Sequence, residues 1–349
     1  MAEKKSVSMQ DIADELGISK VTVSKALNGK EGVGEALKKR IEDLAEKSGY
    51  VLPNYGNRKA KKVGIIMSDR FNSGDEGKFY MAMYEKIISE LQKSSCTSMM
   101  ISPNRNSLAG DLQTIKSSGI FDGLIFLGIL DWEVKRQLDA VNLPKIYVDV
   151  YDETHKSDSV VTENIYSCYE ITNYLIHQGH TEIGFVGTVG ATTSITDRYL
   201  GYVRSMLENN ITPQDVWNIP DRSQEGEAIP LELPQKMPTA FVCNCDETAF
   251  QLVKELTAKG YHIPEDISVA GFDNSIYAQV CSPQLTTVAV DIEEIGKLAA
   301  RRMIKHMGNP TKKGGGVFRI PGKIIYRDSV RNIKTRNRNY KLKDKEEWS

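Results

Sequence analysis

Within two helical turns, the segment Ser19-Lys20-Val21-Thr22-Val23-Ser24-Lys25 sets two lysines and three hydroxyls beside apolar residues. Ammonium groups and small hydroxyls hold phosphate oxygens, and residues at the start of a helix can reach base edges, so this run has the chemistry of a DNA reader. Far along the chain, Arg198 stands at the start of a helix after a strand, where a guanidinium suits vicinal hydroxyls or a carboxylate. Catalytic patterns are missing. Gly184, Gly187 and Gly190 are spaced three apart but do not form GxGxxG, and no acid follows at the distance a ribose contact needs. Cys243, Cys245 and the five histidines show no zinc spacing, and GxSxG does not occur. No enzyme, cofactor or metal is expected.

The elements that must position these groups follow from periodicity. Ser8 can cap a helix with Asp11 three residues on, and Met9, Ile12, Ala13 and Leu16 share one face. Gly17 ends that helix, Ser19 caps a second over Lys20 to Leu27, and a third over about 35–48 buries Leu37, Ile41, Leu44 and Ala45. Two helices joined by a short turn containing Gly form a helix-turn-helix. From Val63 onward, short β-rich runs (VGIIM, MMIS, GLIFL, KIYVDV) alternate with helical patterns near 79–94, 108–118 and 132–140. A second series follows, IGFVG, AFVCN, ISVAGF and TTVAV, with helices at 165–178, 196–209 and 246–259. Such alternation implies parallel sheets covered on both faces, and two series imply two lobes with a cleft beyond the strand carboxyl ends. The stretch 211–238, with five prolines, is too broken for a helix and reads as a variant lobe edge.

Length and charge agree with this division. A chain of 349 residues exceeds the roughly 250–300 at which one core stops growing, and 40% hydrophobic with 26% charged residues excludes disorder. Residues 1–62 hold 13 Lys+Arg against 9 Asp+Glu, and the tail 331–349 holds 7 against 3, which leaves the middle with 25 against 34. A basic head on an acidic body implies that the head meets the polyanion. Five cysteines without CxxC fit free thiols in a reducing compartment, and with neither a signal-peptide pattern nor a membrane-length apolar run the expected location is the cytoplasm. The expected domains are a head over 1–50, a basic linker or shortened hinge over 51–62, a two-lobed effector-binding and dimerisation domain over 63–330, and a basic, disordered tail over 331–349.

The head, from Ser8 through Asp-Ile-Ala, Gly-Ile-Ser and Thr-Val-Ser-Lys-Ala-Leu to Asn28-Gly29, closely resembles the LacI/GalR family of bacterial transcription regulators. The body resembles the same family's core, which is similar to type I periplasmic sugar-binding proteins. It does so through Gly179-His180-Thr-Glu-Ile-Gly-Phe, Arg198-x-x-Gly201-Tyr202, Phe-Val-Cys-Asn-Cys-Asp246-Glu-Thr-Ala, Pro264-Glu-Asp-Ile-Ser-Val-Ala-Gly-Phe-Asp273-Asn, Pro283-x-Leu-Thr-Thr-Val and Ile-Tyr-Arg327-Asp-Ser. The resemblance implies an α/β fold with a three-helix helix-turn-helix head and a two-lobed, periplasmic-binding-protein-like core with parallel sheets. It also implies chain crossings between lobes near 161, 290 and 320, and a homodimer that binds operator DNA and a small-molecule effector, a sugar or glycoside by family habit. A ligand-responsive repressor of carbohydrate-related genes is the expectation. A solute-binding module without a DNA role is the alternative, and the DNA-reading head counts against it.

Carried over residue by residue, the resemblance makes Lys20 and Val21 the base readers and puts Lys25 where the family usually has a base-reading Arg. Ser19, Thr22, Ser24 and Asn28 fall on phosphate-contacting positions. It assigns Arg198 and Asp273 to the effector, with Tyr80 of the pair Phe79-Tyr80 as a stacking platform. Ser68 and Asp69 at the end of the first strand and Asp149 at the end of KIYVDV are rim residues. Cys245 replaces a ligand-binding Asn with a weaker hydrogen-bonding thiol. The hinge departs from the family, because no leucine follows Asn54 in this stretch and Gly56 disfavours helix: either Tyr55, the one bulky candidate after Pro53, is the minor-groove wedge, or the protein does not kink DNA in that way and 51–62 is a basic tether contacting phosphate. If Lys20 reads a base, Lys20→Ala costs roughly 1–3 kcal/mol on the preferred operator and relaxes one position of the site. Binding measured across a panel of single-base operator variants checks this, and uniform weakening on every sequence would mean a phosphate contact only.

Overall fold

The computed structural model describes residues 7–27, 32–48, 50, 60–68, 74–103, 110, 113, 115, 117, 119–224, 226–309 and 314–334. The chain divides into two units, Met1–Lys61 and Lys62–Ser349. In the first, α1 (Met9–Leu16), α2 (Lys20–Leu27) and α3 (Glu35–Lys47) close around Ile12, Ala13, Val23, Ala26, Ile41 and Ala45. Ser8 and Asp11 form a reciprocal capping box, in which the Ser8 N–H donates to Asp11 Oδ2 at 2.7 Å and the Asp11 N–H to Ser8 Oγ at 3.3 Å. Gly17 turns left-handed at φ +65° to end α1, and Ser19 Oγ then accepts the Thr22 N–H at 3.1 Å to start α2.

The second unit holds two sheets built alike. The first contains β1 (Lys62–Met67), β2 (Thr97–Ile101), β3 (Gly123–Leu127), β4 (Lys145–Val148), β5 (Asp158–Thr162) and β11 (Val317–Ile320), in the order β11-β5-β4-β3-β1-β2. The second contains β6 (Ile183–Val186), β7 (Asn218–Ile219), β8 (Ala240–Cys243), β9 (Ser268–Asp273), β10 (Thr286–Ala289) and β12 (Lys323–Ile325), in the order β12-β10-β9-β8-β6-β7. All pairs are parallel except β10 with β12. Helices cover the sheets: α4 (Gly74–Lys93), α5 (Trp132–Asp139) and α10 (Ile292–Gly308) in the first lobe, and α6 (Asn164–His177), α7 (Thr193–Glu208), α8 (Asp246–Ala258) and the short α9 (Ile276–Val280) in the second. Central strands buried on both faces need continuous apolar runs, and VGIIM, GLIFL and AFVC supply them.

The chain leaves the first lobe between Thr162 and Asn164, returns after Ala289 so that α10 packs with α4, and crosses again between Ile320 and Lys323. These are the three crossings expected near 161, 290 and 320. The break over 211–238 is a single 3-10 turn at Asp215–Trp217 leading into β7, the edge of its sheet. Several bounds differ from the sequence reading. α4 starts at Gly74 instead of 79 and α7 at Thr193 instead of 196, because Thr192 caps it by accepting the Ile195 N–H at 3.0 Å. The expected helix 108–118 lies partly outside the described residues. Hydrogen bonds of the second lobe run past 330, with the Arg331 N–H donating to Ser268 Oγ at 3.0 Å and the Ile333 N–H to the Gln178 carbonyl at 2.8 Å. Among the described residues no helix is long and apolar enough to cross a membrane.

Candidate functional site

In the head, the core face of α2 is fixed by Val23 and Ala26, so the remaining side chains must point away from it. Val21 is 64% exposed, Lys20 and Lys25 are exposed, and Thr22 and Ser24 are partly buried. Ser19 Oγ lies 2.8 Å from Thr22 Oγ1. The structure thus collects Ser19, Lys20, Val21, Thr22, Ser24 and Lys25 on one helix and its cap. Asn28 and Tyr55, the other expected contacts, lie outside the described residues, as does nearly all of the linker 51–62.

In the body, residues that follow strand carboxyl ends in both sheets line one cavity of about 320 Å³. Arg198, in α7, is only 6% exposed, and three protein groups hold its guanidinium. Nε donates to Asn164 Oδ1 at 2.8 Å, Nη1 to the Asn244 carbonyl at 2.5 Å, and Nη2 pairs with Asp273 Oδ1 at 3.1 Å. The Phe272 ring lies under it, 3.8 Å from centroid to Cζ. A buried charge persists only when paired and hydrogen-bonded in this way.

The backbone at Asp273 is strained to suit. Asp273 and Asn274 have φ of +99° and +54°, and Asp149 across the cavity has +58°. Non-glycine residues rarely adopt this region, and its recurrence at a cavity points to function. Asp246 braces the turn: its Oδ2 accepts the Ser275 N–H at 2.7 Å and its Oδ1 the Thr287 hydroxyl at 2.6 Å. Gly271 opposite has no room for a Cβ, which would collide with Asp246 Oδ1. Burial, with the Asp273 carboxylate nearby, pushes the Asp246 carboxyl up to about 7.

Beside Arg198 lies a second polar group, centred on Asp221. Its Oδ2 accepts from Arg222 Nη2 at 2.8 Å, Asn244 Nδ2 at 2.7 Å and the Thr248 hydroxyl at 2.8 Å. Burial favours the neutral acid, but the Arg222 guanidinium and these donors outweigh it and hold the carboxyl below its ordinary value. Cys245, the N-cap residue of α8, has its Sγ 3.3 Å from Thr248 Oγ1, and burial pushes the thiol up to about 12, so it is neutral. On the opposite wall Tyr80 donates to Asp149 Oδ2 at 2.8 Å and meets Phe79 edge to face.

Of the expected effector residues, Tyr80, Asp149, Arg198, Cys245 and Asp273 line this single cavity. Ser68 does not. It is a buried residue just past the end of β1 and is not part of the lining. Asp69 lies outside the described residues. Sequence reasoning missed Arg222, Thr192, Ser194 and Tyr277 in the lining. The run Ala191-Thr-Thr-Ser before a helix was a readable capping signal, whereas nothing in the proline-broken stretch around Arg222 pointed to a cavity.

Comparison with known proteins agrees with both units. Residues 8–54 match the model for bacterial regulatory proteins of the lacI family, and residues 172–330 match that of the periplasmic binding protein-like domain. The chain is 26% identical over 338 residues to catabolite control protein A of Priestia megaterium, covering 93% of this chain and 99% of that one. It is similar in fold to the complex of the transcriptional regulator CelR with cellobiose, with TM-score 0.65, 18% identity and coverage of 93% and 99% of the two chains. A lac repressor dimer bound to operator and the anti-inducer ONPF gives TM-score 0.63, 19% identity and coverage of 94% and 100%.

The raised pKa of Asp246 has a thermodynamic consequence. A carboxyl near 3.8 when unfolded and about 7 when folded makes the native state the better proton binder between those values. Stability from this group is therefore full below about 4 and lost as pH rises through 7. Asp246→Asn cannot titrate, so its stability relative to wild type should improve by roughly 1–3 kcal/mol between pH 5 and pH 8. Urea unfolding of both proteins across that range checks this, and parallel pH profiles would contradict it.

Proposed function

The chain belongs to the LacI/GalR family of bacterial transcription regulators, and from that premise we propose that it is a ligand-responsive repressor of carbohydrate-related genes. The observation that carries this reading is the Arg198–Asp273 pair in a cavity between two lobes, on a chain that also bears a helix-turn-helix head. A guanidinium and a carboxylate 3.1 Å apart offer both donors and acceptors, which is what a polyhydroxyl ligand needs on each carbon. The cavity's size suits a small solute of this kind. Cellobiose in the related CelR complex supports a sugar or glycoside as the effector class.

In this reading Lys20 and Val21 contact bases, Lys25 stands at a further base-reading position, and Ser19, Thr22 and Ser24 contact the phosphate backbone. Arg198, Asp273, Tyr80, Asp149 and Cys245 contact the effector. Two heads on a homodimer read the half-sites of a near-palindrome, and a ligand that favours one lobe arrangement changes their spacing. The domain plan of head, basic linker, two-lobed core and polar tail follows, and the protein acts in the cytoplasm. Selection of bound sequences from random DNA gives the operator, and a thermal-shift screen with sugars, nucleobases and nucleosides gives the effector. Arg198→Ala should then abolish the effector response while effector-free operator affinity stays within about tenfold, or 1.4 kcal/mol. Anisotropy titrations of labelled operator check this, and an unchanged effector titration would remove Arg198 from the site.

A further inference from the structure

Arg198 has a neighbour in α7 that faces the other way. Successive helix residues project in different directions, and while Arg198 turns into the second lobe, Asp197 reaches across to the first. Its Oδ2 accepts the Tyr151 hydroxyl at 2.7 Å. Tyr151 belongs to the first lobe, in the loop between β4 and β5, and stands just past the cleft residue Asp149. Each partner is thus tied by a few atoms of backbone to a residue that lines the cavity. The bond lies next to the crossings: the Arg319 guanidinium sits 5.9 Å from the Tyr151 ring centroid, and its Nε is 3.5 Å from Glu163 Oε2. The Glu163 N–H in turn donates to the Ile320 carbonyl at 2.8 Å, joining two of the connecting segments. Both Tyr151 and Asp197 are half-buried, so water competes only in part for their hydrogen bond.

We propose that Tyr151 and Asp197 form an interlobe latch that sets the angle between the lobes and so positions Arg198 and Asp149 relative to each other. The latch rests on the reading of the cavity as the effector site, but the lobe angle itself is measured without effector. The hydroxyl and the carboxylate act together, and neither touches the ligand. A movement of the first turns of α7 on contact with Arg198 loads or releases the bond, and the lobe angle follows.

Single-pair fluorescence transfer tests this on the full chain. Dyes placed through Ala140→Cys after α5 and Glu255→Cys in α8, both exposed positions, report on the two lobes. Cys245→Ser is included throughout to prevent labelling at the cavity, and labelled subunits are mixed with excess unlabelled protein. Tyr151→Phe and Asp197→Ala should each raise the population outside the main transfer peak at least fivefold. Combined, they should do no more than either alone, and Asp197→Asn, which keeps an acceptor, should retain the parent distribution. A residue needed only for stability would lower the melting temperature and leave the distribution in place. An unchanged distribution in Tyr151→Phe, or effects that multiply in the double variant, overturns the latch. If the distribution shifts as expected while Arg198→Ala leaves the effector response intact, the latch stands and the reading of the cavity falls.

Discussion

A guanidinium held at 6% exposure dictates how the second lobe is built around the cleft. Arg198 can be buried only if each of its donors finds an acceptor, because a lone charge in such a place costs several kcal/mol. Its partners come from three separate parts of the chain: the hydrogen-bond acceptors Asn164 at the start of α6 and the Asn244 carbonyl beyond β8, and the ion-pairing carboxylate of Asp273 at the end of β9. One side chain therefore contacts a crossing segment and the ends of two strands. The left-handed backbone of Asp273 and Asn274 is the strain that this convergence requires, and Asp246 and Arg327 hold it in place through Ser275 and Asn274.

The same constraint accounts for the tight packing behind the cleft. α6 and α7 approach so closely that a Cβ at Gly201 would collide with the Ile165 carbonyl oxygen. Glycine there lets α7 lie where Arg198 reaches Asn164. The Tyr202 hydroxyl next to it donates to the Ile183 carbonyl at 2.8 Å and anchors α7 to the start of β6. The Arg198-x-x-Gly201-Tyr202 phrase is thus a single mechanical unit in which one residue faces the cavity and two fasten the helix.

Much of this was legible in the sequence. The capping box at Ser8 and Asp11, the turn at Gly17 and the apolar spacing of the head led directly to the three helices, since local signals suffice for short helices. The buried central strands were readable as apolar runs. β11 and β12 were not, because VFRI and KII are short edge strands half open to solvent, and their pairing is decided by distant partners, β5 and β10. β5 carries no clear signal either, its run DSVVT being short and largely polar. α10 is legible in Ile292, Ile295, Ala299 and Met303 at helical spacing. In the cleft, Arg198 and Asp273 could be named from motifs, but Arg222 reaches the cavity from a segment with no periodicity, held there by Asp221. Ser68, just past β1, falls outside the lining, because a residue at a strand's end can face either the cavity or the sheet's covering layer, and sequence position alone does not say which.

A ligand-responsive repressor requires free-energy coupling between cleft and head, and coupling is reciprocal: the factor by which effector changes operator affinity must equal the factor by which operator changes effector affinity. Calorimetric titration of effector into the protein, alone and saturated with its operator, measures the second factor, and operator titrations with and without effector measure the first. The two factors should agree and fall within about 5- to 150-fold, the range of 1–3 kcal/mol. An effector affinity that operator leaves unchanged would contradict the account and leave the body a binding module that does not speak to the head.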